Sequence, residues 1–200
     1  MKLLNNKILI GVVVVIGGLI LFTSGDNPSE TNGTISTDVK GKIYFKEAVG
    51  KKAPDFELES INGGTVKLSD YLGKNVVIFF NEGAMCYPAC WDQIAQLGND
   101  LRFDTESIAA FSIVVDTKNQ WLDIVNKSSN LARSKILFDT SRSVSKAYDV
   151  LYLDSPMHPG ALPGHTYFII DKEGIIRFTL DDPNMALAND KLIKEIEKLK

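Results

Sequence analysis

Val76-Val77-Ile78-Phe79-Phe80-Asn81-Glu82-Gly83-Ala84-Met85-Cys86-Tyr87-Pro88-Ala89-Cys90-Trp91 joins an unbroken apolar run to the only two cysteines of the 200-residue chain. Its first five residues are β-branched or aromatic, the composition of a strand covered on both faces. Two cysteines scattered at random over this length fall so close together on the order of one time in twenty-five, so the spacing carries information. A bridge between them closes a very short loop, worth only about 2 kcal/mol by chain entropy, which is little for a structural staple. The pair therefore reads as redox chemistry rather than as a staple or two unrelated buried thiols.

Pro88 explains how three intervening residues can still allow a bond. On a regular helix, side chains four apart hold their Cβ atoms about 5 to 6 Å from each other, while a disulfide wants roughly 3.5 to 4.5 Å. Proline is favoured at the first helical position. Pro88 is thus expected to start the helix, with Cys86 in the preceding loop and Cys90 in the first turn. The free N–H groups and positive dipole end of that helix favour a thiolate at Cys86. Cys86 is the expected nucleophile and Cys90 the resolving thiol, an exposed sulfur followed by a more buried one.

Downstream, residues 91–97 carry apolar side chains at helical spacing, with Gly98 as the expected stop. A buried strand is expected over 108–115, a helix over 120–127, a short strand over 136–138, and a helix over 142–148 with Ser141 as its cap. Residues 166–170 and 175–180 read as a hairpin around Asp171-Lys172-Glu173-Gly174, followed by a helix over 189–199. Upstream, Asn62-Gly63-Gly64 is a turn, with a short strand over 65–67 and a helical turn over 69–72. Strands alternating with helices, then a hairpin and a helix, predict an α/β three-layer sandwich around a central mixed sheet. No internal repeat is present.

The composition, 44% hydrophobic and 24% charged, suits one globular domain with an appendage. With a formal net charge of −3 and no basic run, no nucleic-acid partner is expected. Lys2 and Lys7 precede residues 8–22, which include no polar side chain, and the run breaks at Thr23-Ser24-Gly25. At 1.5 Å per residue it covers about 22 Å of a roughly 30 Å hydrocarbon core, although its neighbours can extend it. Residues 1–25 read as an N-terminal hydrophobic helix, either an uncleaved membrane anchor or a signal peptide; the absence of an Ala-x-Ala site favours the anchor. Residues 26–45 read as a flexible linker and 46–200 as the domain. The flanking lysines place the domain on the extracytoplasmic side, single-pass at the cell membrane or secreted after cleavage. A disulfide persists there until something reduces it.

Ala53-Pro54-Asp55-Phe56, residues 76–80, Gly83-x-x-Cys86-x-Pro88-x-Cys90, Leu137-Phe138-Asp139, Ala147-Tyr148-Asp149-Val150 and residues 167–174 together resemble the redoxin branch of the thioredoxin-like superfamily. This group includes alkyl hydroperoxide reductases (AhpC/TSA) and membrane-tethered thiol-disulfide oxidoreductases. The resemblance spans about residues 48 to 198 and implies a redox-active cysteine at the start of the first long helix, where Cys86 stands. Peroxiredoxins carry Pro-x-x-x-Thr/Ser-x-x-Cys, but Phe79 and Gly83 occupy those places before Cys86. Thioredoxin-like reductases usually carry Cys-x-x-Cys, and they place a cis-proline where His165 stands here.

The resemblance thus implies an oxidoreductase that works through Cys86, Cys90 and His165 with no cofactor or resident metal. Its preferred substrate is a protein disulfide, a hydroperoxide is the alternative, and a thiol reductant of unknown identity restores it. His165 is expected near Cys86, stabilising its thiolate or shuttling a proton, with simple loop packing as the plainer reading. The three-residue spacing is also similar to Sco-type copper chaperones, which implies copper held by Cys86, Cys90 and His165, with Met85, Met157 or His158 as added ligands. His158, Glu82 and Asp116 read more simply as solvated loop residues. Tyr87 and Trp91 read equally as groove lining or helix packing.

Overall fold

The structure is a computed structural model that describes residues 39–199. The expected membrane segment at 8–22 and most of the linker lie outside the described residues. Among the described residues, no helix is long and apolar enough to cross a membrane.

A seven-stranded mixed sheet forms around β3 (Asn75–Phe80) and β4 (Ile108–Val114), which run parallel. Every residue of β3 is buried. Its side chains alternate as strand geometry requires. Val76, Ile78 and Phe80 enter one core with Phe111, Ile113 and Phe168, while Val77 and Phe79 enter the other with Ile94, Tyr167 and Leu192. Two covered faces explain why the run is continuously apolar. Short β5 (Ile136–Phe138) extends the parallel part beyond β4, and β1 (Glu57–Ser60) with β2 (Thr65–Lys67) closes that edge antiparallel. On the other side β6 (Thr166–Ile170) and β7 (Ile176–Asp181) form the expected hairpin, β6 antiparallel to β3. The resulting order is β2-β1-β5-β4-β3-β6-β7.

Helices cover both faces. Apolar residues of α1 (Ala89–Asn99), α2 (Lys118–Lys127) and α4 (Asn189–Glu197) pack with Val77 and Phe79, and Val144 and Ala147 of α3 (Ser143–Ala147) pack on the opposite face. The architecture is the thioredoxin-like three-layer sandwich expected.

Two local expectations are corrected. Gly98 lies inside α1, not after it; a Cβ there would sit 2.7 Å from the Ser134 Cα, so the glycine lets the helix press on that segment. The start of α3 is held by Asp139 rather than by Ser141 alone. The Asp139 carboxylate accepts from the Val144 and Ser145 amides at 3.2 and 2.7 Å, satisfying donors that a helix start leaves free.

Candidate functional site

β3 ends at Phe80, and the chain must then turn sharply to deliver two sulfurs to the start of α1. Asn81 begins the turn: its Oδ1 accepts from the Gly83 amide at 2.9 Å. Gly83 adopts φ +64, and a Cβ there would overlap the Asp116 carboxylate, so only glycine fits. Asp116 Oδ2 in turn accepts from the Ala84 amide at 2.9 Å and from Trp121 Nε1 at 2.8 Å. Trp91 Nε1 donates to the Gly83 carbonyl at 3.3 Å. Asp116 is therefore half-buried bracing for the loop, not the solvated carboxylate expected.

Cys86 and Cys90 are joined in a disulfide, with Cα atoms 5.3 Å apart. Cys86 has non-helical backbone (φ −100, ψ 58), and Cys90 is the second residue of α1. Pro88 stands just before the helix, one place earlier than expected. The loop-to-helix division that lets the sulfurs meet is as expected. The expectation of an exposed Cys86 is corrected: Cys86 is 3% exposed and Cys90 1%.

Met185 is the residue that sequence reasoning missed. Its Sδ lies 3.8 Å from Cys86 Sγ. Met185 has φ +52 in the turn between β7 and α4. Asp182 holds that turn, its carbonyl accepting from the Met185 amide and its carboxylate from the Asn184 and Ala186 amides, each at 3.0 Å. Gln93 of α1 anchors the far end, accepting from the Ala188 amide at 2.7 Å.

His165 directly precedes β6, where Thr166 pairs across from Phe80. That register puts the ring, fully buried, against Phe79 at 4.6 Å and beneath the first turn of α1. Its Nδ1 lies 3.8 Å from Cys90 Sγ, and its Nε2 lies 2.7 Å from the Tyr167 hydroxyl. Burial pulls its pKa down to about 4, against the opposing carboxylates of Asp182 and Asp181. Burial, with Asp182, pushes the Tyr167 hydroxyl well up, so it keeps its proton. The neutral imidazole thus links Cys90 to a phenol that cannot ionise near neutral pH.

Glu82 is 1% exposed and far from solvated. It accepts from the His158 amide at 2.8 Å and faces His158 Nδ1 at 3.1 Å, so both residues latch the loop before β6 to the cysteine loop. Met85 and Met157, considered as copper ligands, are largely exposed, and Tyr87 is exposed with its edge toward Trp91. Among the described residues, no group of three or more His, Cys, Asp or Glu gathers as a metal cluster.

The AhpC/TSA family model matches residues 49–179. A chloroplastic 2-Cys peroxiredoxin BAS1 of Hordeum vulgare is 31% identical over 166 residues, covering 78% of this chain and 77% of the relative. Peroxiredoxin-2 of Cricetulus griseus is 31% identical, covering 74% of this chain and 77% of the relative. The reduced 2-Cys peroxiredoxin of Plasmodium vivax superposes with a TM-score of 0.64 at 25% identity, over 76% of this chain and 95% of that structure. AhpC of Enterococcus faecalis matches in fold, with a TM-score of 0.65 at 16% identity over 76% and 91% of the two chains.

Proposed function

The chain belongs to the AhpC/TSA family and is an oxidoreductase, and we propose that it exchanges thiols and disulfides with a protein partner through Cys86 and Cys90. Residues 8–22 tether it to the membrane, with the domain on the extracytoplasmic side. The observation that carries this reading is the pairing of the Cys86–Cys90 disulfide with a neutral, buried His165 at Cys90.

In the reduced protein, Cys86 at the entrance to α1 is the thiolate, stabilised by the helix N-terminus. It attacks one sulfur of the substrate disulfide, forming a mixed disulfide and expelling the other sulfur as thiolate. Cys90 must then lose its proton to attack Cys86. His165 Nδ1 stands beside it to take that proton and pass it to the departing substrate thiolate. The products are the Cys86–Cys90 disulfide and the reduced substrate, and an external thiol reductant reopens the bond. No cofactor enters the cycle.

The peroxiredoxin relatives favour a second reading, in which Cys86 takes an oxygen from a hydroperoxide and the sulfenic acid condenses with Cys90, releasing water. Trapping separates the two. With a protein disulfide, the reduced Cys90→Ser chain is expected to accumulate a mixed disulfide at Cys86, and Cys86→Ser none. Absence of that adduct, together with rapid sulfenic acid formation under peroxide, would overturn the preferred reading.

A further inference from the structure

The surroundings of the disulfide are uneven in charge and carry exposed apolar side chains. Three segments meet there: residues 81–92, 154–165 and 181–188. His158 on Glu82 joins the first two, Met185 on Cys86 joins the first to the third, and Asp181 joins the last two by accepting from the Asp154 and Ser155 amides at 3.0 and 3.1 Å. None of the three segments contains a lysine or arginine, yet they carry Glu82, Asp92, Asp154, Asp181 and Asp182, with Asp116 behind the loop. Among the described residues, Arg142 reaches them, donating to the Ala161 carbonyl at 2.6 Å. Each segment also presents a large apolar side chain that is more than half exposed: Met85 and Tyr87, Met157, and Leu187. Single exposed apolar residues are ordinary, but several on the segments that converge at one buried disulfide mark an interaction surface.

We propose that this collar is the docking surface for an extended segment of a partner protein, apolar and flanked by lysine or arginine, whose reactive cysteine reaches Cys86 by displacing Met185. The proposal rests on the thiol-disulfide reading and adds the chemistry of the partner. Carboxylates without compensating lysines attract a basic segment and repel an acidic one. Methionine and tyrosine side chains supply adaptable apolar contact. A buried Cys86 under Met185 also means that a substrate must bring contact surface of its own to open the site.

The test uses the reduced full chain and three short peptides, Leu-Cys-Leu flanked by lysine, serine or glutamate, each with its cysteine as the 2-thiopyridyl disulfide. Thiopyridone release gives the rate, and division by the rate with 2-mercaptoethanol removes each peptide's intrinsic reactivity. The lysine peptide is expected to react about tenfold faster than the glutamate peptide at low salt, a ratio that falls toward one at high salt. Asp92→Lys with Asp154→Lys is expected to erase most of that ratio once each peptide rate is divided by the same variant's rate with uncharged 4,4′-dithiodipyridine. Tyr87→Ser is expected to slow all three peptides. Equal normalised rates for the lysine and glutamate peptides, with 4,4′-dithiodipyridine still consumed quickly, would overturn the docking surface alone. Failure to consume any disulfide probe faster than a free thiol would overturn the thiol-disulfide reading with it.

Discussion

His165 stands on Cys90, not on Cys86: its Nδ1 lies 3.8 Å from Cys90 Sγ, while Met185 Sδ lies 3.8 Å from Cys86 Sγ. The two cysteines therefore have separate neighbours, which the proposed cycle uses as a relay for the resolving thiol and a cover for the attacking one.

Replacing His165 by Asn is expected to spare the first attack and slow the second. The mixed disulfide at Cys86 should accumulate, with its resolution slowed by about a hundredfold. Rapid acid quench followed by intact mass analysis reads both steps. Equal slowing of both would place His165 in a purely packing role.

His165 also links stability to pH. The folded ring titrates near 4 and the unfolded one near 6.5, so between these values the unfolded chain binds the extra proton. Stability from this group is full above pH 6.5 and is lost as pH falls toward 4, by up to about 3 kcal/mol. Urea denaturation of wild type and His165→Asn at pH 7.5 and 4 should show wild type losing more. Parallel losses would contradict a buried neutral histidine.

Met185→Ala should uncover Cys86. Reduction of the disulfide by 2-mercaptoethanol is expected to accelerate by about threefold or more, since access limits attack on a buried sulfur. An unchanged rate under alkylation quench would show that Met185 does not control access.

Gly83→Ala is expected to destabilise by about 2 kcal/mol, because φ +64 suits glycine and the added carbon collides with the Asp116 carboxylate. A denaturation midpoint equal to wild type would show that the loop adapts without cost.

The sheet, its hairpin and the cysteine loop were legible because each rests on a local pattern. Residues 76–80 are β-branched or aromatic without interruption, Asp171-Lys172-Glu173-Gly174 is a turn, and Pro88 separates two cysteines at a helix start. The rest depends on partners distant in sequence. Glu82 is buried because His158 meets it, and Asp116 is braced because Gly83 leaves room for it. Met185 sits in a polar turn with no periodicity, and nothing in residues 181–188 signals that Asp182 folds the turn back onto Cys86. His165 could be singled out from the sequence, but its place beside Cys90 follows from the register of β6 against β3. The apolar spacing that defines α1 does not reveal that Gly98 packs on Ser134.

The proposed function requires the reduced Cys86–Cys90 pair to attack disulfides in preference to peroxides. Stopped-flow thiol titration of the reduced full chain against hydrogen peroxide and against a model protein disulfide measures this in one experiment. The disulfide is expected to be consumed well above the free-thiol rate, and peroxide no faster than by a free thiol. The reverse order, with fast peroxide consumption and a protein disulfide left intact, would contradict the thiol-disulfide exchange proposed for Cys86 and Cys90.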